Sequence, residues 1–253
     1  MILSGGITMT GGMIFSGDAV APPPPPAEDF QIVFTKSGAT TLDPFTLPLQ
    51  QSTGNITVDW GDSTANVYEL DGYNDPKPSH TYGANGSYTV SITGTLDRWG
   101  DNSGSAVSTG ITEVLAWGNL GITNFTNGFD RAVNLTGVPN NIPVTATALN
   151  SMFERAINFN SANVISWDVG NVQTFNRMFW GDDGGSPSGI FNQDIGGWDT
   201  SSATAMGAMF RGAAVFNQDL TGWCVTNIPS LPDNFATGSA LDANNYPVWG
   251  TCP

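Results

Sequence analysis

The sequence predicts a mainly β protein with short helices: an N-terminal arm, a proline linker, a small antiparallel β-sandwich and a solenoid of internal repeats. Three observations predict this fold class. First, the chain contains 31 glycines and 16 prolines, and its polar residues are mostly Asn, Ser and Thr, which favour turns and strands over long helices. Second, alternating apolar segments separated by turn residues follow the linker. Third, a pattern of about 25 residues recurs through the C-terminal half.

Residues 1–20 are the predicted anchoring arm. They contain a near-repeat of glycine and apolar residues that suits an extended strand but is too short to fold alone. The candidate anchoring side chains are the apolar ones: Ile2, Leu3, Ile7, Met9, Met13, Ile14 and Phe15. We expect this arm to dock on another protein or on copies of itself. Residues 21–27 include five consecutive prolines and form a stiff linker.

The start of the chain lacks the pattern of a secretion signal. Its first basic residue is Lys36, and glycines interrupt its apolar residues. A signal peptide has a basic start followed by an unbroken apolar stretch. No apolar run approaches the roughly 20 residues of a membrane span. We therefore expect neither a secretion signal nor a transmembrane helix.

Residues 28–110 form the predicted sandwich. The segments 30–34, 55–60 and 86–94 alternate apolar and polar residues, as half-buried strands do. Turn clusters lie between them, and this spacing without helical periodicity indicates an antiparallel sandwich. Asp59 and Asp62 lie where a strand enters a turn. We expect them to bind the turn backbone rather than to act as an acid–base pair.

Residues 111–253 form the predicted solenoid. Trp167, Trp198, Trp223 and Trp249 are separated by 31, 25 and 26 residues. A second series, Phe153, Phe179, Phe210 and Phe235, is separated by 26, 31 and 25 residues. The long step falls in the same unit in both series. It indicates an insertion of about six residues between Gly181 and Gly189.

One repeat unit is expected to combine a short strand-like segment with a short helix. The strand-like segment carries Ile195, Trp198 and Thr200, and the apolar face of the helix carries Ala203, Met206, Met209 and Phe210. Neither piece buries its apolar side alone, so each unit must stack on the next. The Asn and Asp that follow each repeat Phe are expected to bind the turn backbone. A ligand-binding ladder is the less favoured alternative.

Cys224 and Cys252 are the only cysteines, and both lie near the C-terminus. A metal site would need more thiols or histidines nearby. A disulfide is the favoured interpretation, and two buried free thiols are the alternative. A bridge would cap the last repeat and would imply an oxidising destination.

The composition excludes several classes of function. Twenty-two acidic residues against seven basic ones give a net charge of −15, which opposes binding to nucleic acid or anionic lipid. No nucleophile, phosphate-loop or zinc-protease motif occurs. His80 is the single histidine and is expected to pack rather than to catalyse. We therefore predict no enzyme, no catalytic residue, no cofactor and no metal.

The inserted loop is the predicted recognition site. Its polar candidates are Asp182, Asp183, Ser186 and Ser188. Exposed loops tolerate insertion and carry function more often than a packed repeat core does. The two aspartates are also candidates for attracting Ca²⁺, but their glycine neighbours favour simple solvation.

The pattern Phe-Asn-Gln-Asp-Ile-x-x-Trp-Asp, followed by Met-x-x-Met-Phe, resembles the bacterial surface protein repeat known as BspA-like or DUF285. The resemblance covers roughly residues 115–253 and implies a leucine-rich-repeat-like fold, extracellular display, adhesion and no catalysis. Upstream, Val58-Asp-Trp-Gly-Asp and Ser79-His-Thr-Tyr resemble PKD-like, immunoglobulin-like sandwich domains. In that pattern the histidine is a packing residue.

The glycine-rich start also resembles the N-terminal arms of marine-type phage virion proteins. Such a protein reaches the exterior by lysis, which reconciles a disulfide with the expected lack of a secretion signal. The sequence hypothesis is therefore a virion structural protein, a capsid decoration or fibre protein on the particle surface. Its expected partners are other virion proteins, further copies in a homo-oligomer such as a trimer, and a host-surface protein or glycan. The alternative is a secreted bacterial surface adhesin.

Overall fold

The computed structural model describes residues 29–38, 44–72, 77–101, 107–183 and 186–253. Its regular structure is mainly β, with short 3-10 helices at Val107–Gly110, Ala162–Ser166 and Ala243–Asn245. Within these ranges no helix is long and apolar enough to span a membrane.

The N-terminal part contains a five-stranded antiparallel sheet. Its strands are β1 (Phe30–Lys36), β3 (Ser52–Asp59), β4 (Ala65–Gly72), β6 (Gly86–Gly94) and β7 (Ile111–Trp117), in the order β4-β3-β6-β1-β7. The alternation in the sequence explains which side chains are buried. In β1, Phe30, Ile32 and Phe34 are buried while the residues between them are partly exposed.

A two-stranded sheet, β2 (Phe45–Thr46) with β5 (Ser79–His80), packs against the larger sheet. Phe45 stacks on Phe34 with ring centroids 4.0 Å apart and meets Trp60 edge-on at 6.3 Å. The hydroxyl of Tyr82 donates to the Trp60 carbonyl at 2.8 Å. These buried aromatic residues form the core between the two sheets.

Strand β7 joins the sheet to the repeats. It lies beyond residue 110, the expected end of the sandwich, yet it pairs antiparallel with β1. Its other edge meets the first turn of the repeats, where the amide of Val114 donates to the Gly137 carbonyl at 2.9 Å. Trp117 then packs edge-on against Phe125 at 5.3 Å. The buried core therefore runs without a break from the sheet into the repeats.

The repeats stack as successive coils of the chain. Parallel bridges link Arg98, Asn124, Ala148, Thr174 and Ala205 in turn, each one coil after the last. The equivalent rings of neighbouring coils also stack. The ring centroids lie 5.8–5.9 Å apart for each consecutive pair in the series Phe129, Phe153, Phe179 and Phe210. The ring centroids of Trp198 and Trp223 lie 6.4 Å apart, with nearly parallel planes.

The strand-like segment and the helix predicted over residues 195–210 do not form. Ile195, Trp198 and Thr200 lie in irregular chain, and residues 203–210 contain an isolated bridge at Ala205 and a turn but no helix. The seven side chains expected to be buried are all buried. The helix does not form because Ala208 has φ of 54° and its amide donates to Asp233 in the next coil. Backbone hydrogen bonds between coils thus replace the hydrogen bonds that a helix would form within the unit.

The last coil is closed by the predicted disulfide between Cys224 and Cys252. Next to it, the amide of Val225 donates to the Thr251 carbonyl at 2.8 Å. Phe235 packs edge-on against Trp249 at 5.0 Å. The C-terminal segment thereby covers the end of the core.

Candidate recognition surface

The asparagine after each repeat Phe forms a column that holds neighbouring coils together. Asn192 Oδ1 accepts the amide of Asn217 at 3.1 Å and the side chain of Gln218 at 2.9 Å. Asn160 accepts the equivalent bonds from the coil of Asn192. Asp194 and Asp219 each bind an amide two residues ahead. The prediction that these Asn and Asp side chains bind the turn backbone is confirmed.

A second set of equivalent positions forms the face that carries the inserted loop. We call it the turn face: residues 127–131, 151–155, 177–181, 208–212 and 234–238, which surround the stacked Phe residues. Along this face each coil donates amides to the next, as from Arg131 to Glu154 at 2.7 Å and from Arg155 to Trp180 at 2.7 Å. Bonding between coils fixes the register of the side chains that point outward.

Three arginines of the turn face surround one partly exposed tryptophan. The guanidinium carbons of Arg155, Arg177 and Arg211 lie 5.2, 4.9 and 4.7 Å from the Trp180 ring centroid. These distances fall within the range of cation–π attraction. The set Arg155, Arg177, Trp180 and Arg211 is called the arginine–tryptophan cluster below.

Two acidic side chains of the turn face lie beside this cluster. Glu154 is buried, and its Oε1 lies 3.3 Å from Arg155 Nη1. Asp130 is 8% exposed, and its Oδ1 is buried without a hydrogen-bond partner. Burial, reinforced by the negative charge of Glu154, raises the pKa of Asp130 to about 6.

The insertion forms a small hairpin next to the cluster. Its strands are β8 (Asp182–Asp183) and β9 (Ser186–Pro187), and they follow Trp180 and Gly181 directly. At its base the amide and hydroxyl of Ser188 both donate to the Gly181 carbonyl, at 2.9 and 2.7 Å. Gly181 in turn donates to Arg211 in the next coil. The base of the hairpin is therefore bonded to the coil of Arg211 and directly follows Trp180 in the chain.

The other polar candidates of the sequence have structural partners. His80 stacks on Trp60 at 5.1 Å, and its Nε2 lies 2.7 Å from Asp62. Asp59 accepts the amide of Gly61, and Asp62 accepts that of Thr64. The hydrogen bond from Thr64, assisted by His80, lowers the pKa of Asp62. These contacts tie a turn to the sheets, and among the described residues no cluster of three or more His, Cys, Asp or Glu could hold a metal.

A shallow groove of about 870 Å³ lies between β7 and the first coils. Leu115 and Val144, which line it, are 42% and 73% exposed.

The candidate anchoring residues Ile2, Leu3, Ile7, Met9, Met13, Ile14 and Phe15 lie outside the described residues.

The arginine–tryptophan cluster has no counterpart among the sequence predictions. One signal was available: Arg131, Arg155, Arg177 and Arg211 each lie one or two residues from a repeat Phe. That regularity assigns four of the five arginines to equivalent turns. It does not reveal that three of them meet at Trp180, because this depends on the stacking of the coils.

Comparison with known families agrees with the repeat pattern. Residues 105–184 and 123–249 match the family described as Mycoplasma protein of unknown function, DUF285. The chain belongs to the DUF285 family. No curated protein and no solved structure matches it. In this DUF285 protein the matched region contains the stacked coils, the asparagine column and the turn face.

Proposed function

We propose that this DUF285 protein is a non-enzymatic, surface-displayed recognition protein that adheres through the turn face of its coils. The observation that carries the proposal is the family match across the coils, because it favours a BspA-like surface repeat protein over a virion component. The disulfide that caps the last coil supports an oxidising, extracellular location.

The finer fold assignments belong to the same proposal. We assign the coils to a leucine-rich-repeat-like solenoid on the basis of their parallel bridges and the asparagine column. We assign the two N-terminal sheets to a PKD-like sandwich, supported by the Asp62–His80–Trp60 arrangement at the end of the sheets. In this arrangement the sandwich is a spacer and the solenoid is the binding part.

The virion hypothesis depended mainly on residues 1–20, which lie outside the described residues. Anchoring by this arm, and a trimeric or other homo-oligomeric state, stay predictions. Truncation of residues 1–20 tests them, since an anchoring arm predicts a folded chain that no longer associates.

The hairpin provides the test of the proposed function. Deletion of residues 182–187 joins Gly181 to Ser188, whose amide already bonds the Gly181 carbonyl at 2.9 Å, and restores the length of the neighbouring coil. We expect the shortened chain to fold, because the coils bond to one another outside the hairpin. Both chains are applied to an array of surface glycans and extracellular matrix proteins. Binding by the full chain that weakens in the shortened chain supports recognition at the turn face, whereas no binding to any probe contradicts it.

A further inference from the structure

We propose that strand β4 pairs antiparallel with β4 of a second copy, so that two chains form a dimer through the open edge of the five-stranded sheet. The starting point is the difference between the two edges of that sheet. Strand β7 is bonded on its outer side to the first coils, as where the amide of Thr136 donates to the Thr112 carbonyl at 2.9 Å. Strand β4 lies at the opposite edge, and among the described residues its only strand partner is β3.

The open edge of β4 lacks the features that usually prevent strand addition. An edge strand presents unpaired backbone N–H and C=O groups, and proteins protect it with a proline, a lysine, a bulge or a covering element. Strand β4 contains neither proline nor lysine, and it pairs with β3 over eight residues without a register shift. Within the described part of the chain, the backbone of residues 65–70 bonds to no element other than β3. The edge is therefore regular and unprotected.

The side chains of β4 also suit a second strand. Val67 is 72% exposed, and it shares one face of the strand with the exposed Glu69. Tyr68 and Leu70, on the other face, pack against the buried core. A second strand beside β4 would cover Val67 on one face and would continue the layer of Tyr68 and Leu70 on the other.

The sequence of β4 is compatible with pairing to itself. A two-fold axis perpendicular to the sheet keeps every residue on its own face, so paired residues are separated by an even number of positions. With the axis at Tyr68, all residues from 65 to 71 are paired, and Val67 lies opposite Glu69 of the second copy. An axis at Glu69 would place two carboxylates opposite each other, and an axis at Val67 would pair fewer residues. This self-complementarity favours a second copy over an unrelated peptide.

The position of the coils permits this dimer. They continue the sheet from β7, and β3, β6 and β1 lie between β7 and β4. Four strand spacings of about 4.8 Å therefore separate β4 from the strand that joins the coils. The dimer would contain one continuous sheet with a stack of coils beyond each end. Two turn faces on one particle would bind a multivalent surface more tightly than one turn face does.

Sedimentation velocity of the full chain over a range of concentrations tests the proposal. We expect a reversible monomer–dimer equilibrium with a Kd in the micromolar range, because one strand from each copy makes a small interface. Hydrogen exchange gives a second readout, since amides of residues 65–70 should exchange more slowly above the Kd than below it. A chain that stays monomeric, or a dimer without this protection, would overturn the proposal.

The variants V67E and V67K test the register. V67E places a carboxylate opposite Glu69 of the second copy at two symmetric positions, so the Kd should rise roughly tenfold. V67K places opposite charges there, so the Kd should fall a few-fold. V67E combined with E69K also pairs opposite charges and should return the Kd close to that of the wild type. Weakening of the dimer by both single variants would overturn this register.

V144E is the matched control, because Val144 is 73% exposed on the coils and the variant adds the same charge away from β4. Its Kd should equal that of the wild type, and circular dichroism confirms that each variant is folded. Equal Kd values for V67E and V144E would assign the association to another surface, such as the arm, and would overturn the proposal. The inference is independent of the turn face. A monomeric chain that still binds array probes would therefore reject the dimer and leave the proposed function intact.

Discussion

At the scale of single residues, the repeat tryptophans combine packing with hydrogen bonding. Trp198 is 4% exposed, stacks on Trp223, and donates through Nε1 to the Val164 carbonyl at 2.9 Å. Trp223 donates in the same way to Ile195. Each ring therefore fills the core of its own coil and bonds to the preceding one.

Trp198→Ala should lower the free energy of unfolding by about 3–5 kcal/mol, because it leaves a cavity and removes the indole hydrogen bond to the Val164 carbonyl. Chemical denaturation monitored by circular dichroism measures this change. Val144→Ala, at a side chain that is 73% exposed, is the control and should change stability by less than about 0.5 kcal/mol. An unchanged denaturation midpoint for Trp198→Ala would contradict the stacking of buried rings.

Asp130 should make the stability of the fold depend on pH. Its pKa is about 6 in the folded chain, above the ordinary value of 3.8, so the folded state binds more protons between these values. The contribution is complete below about pH 4 and is lost as pH rises through about 6. Asp130→Asn, which stays neutral, should therefore be more stable than the wild type at pH 8, by roughly 1–3 kcal/mol. Denaturation at pH 4 and pH 8 tests this, and parallel pH profiles for the two proteins would contradict it.

At the scale of the element, the coil is held by side chains that bond to the backbone of the next coil. Asn192 is the clearest example, since its amide oxygen accepts two hydrogen bonds from residues 217 and 218. Asn192→Ala should cost about 1–3 kcal/mol, because the amide of Asn217 loses its partner. Asn119→Ala is the control, at an exposed asparagine outside the column. Equal stability of the two variants in denaturation experiments would refute a structural role for the column.

The coil also shows where the sequence misleads. The spacing of Met206, Met209 and Phe210 suits the face of a helix, and these side chains are indeed buried together. A tight turn satisfies the same spacing when one residue adopts a left-handed conformation, as Ala208 does. No sequence rule marks alanine for that conformation, so the buried residues were predictable but their backbone was not.

At the scale of the whole molecule, the disulfide closes the end of the stack. It joins residues 28 positions apart, and loss of this cross-link should destabilise the chain by about 3–4 kcal/mol. The double variant Cys224→Ser/Cys252→Ser should therefore melt at a lower temperature than the oxidised wild type in calorimetry. The reduced wild type should melt close to the double variant. Equal melting temperatures in all three samples would show that the C-terminal cap is held without the bridge.

The candidate site could be predicted only in part at this scale. The position and length of the insertion were predicted because two independent marker series lengthen in the same unit, whereas its pairing as a hairpin was not predicted. The meeting of Arg155 with Arg211 at Trp180 was not, because these arginines lie 56 residues apart and only the stacking of coils brings them together. Strand β7 was likewise assigned to the repeats, because the composition of the sequence changes at about residue 111. In the structure this strand pairs with β1.

The parallel bridges from Arg98 to Ala205 also determine how the molecule can change length. Each bridge joins only adjacent coils, and strands paired in this way lie about 4.8 Å apart. A duplicated coil placed inside the stack would therefore move the disulfide-closed end about 5 Å farther from the sheets without altering either end. The distance between the sheets and the closed end can thus increase by one coil spacing at a time. The residues that contact a ligand need not change.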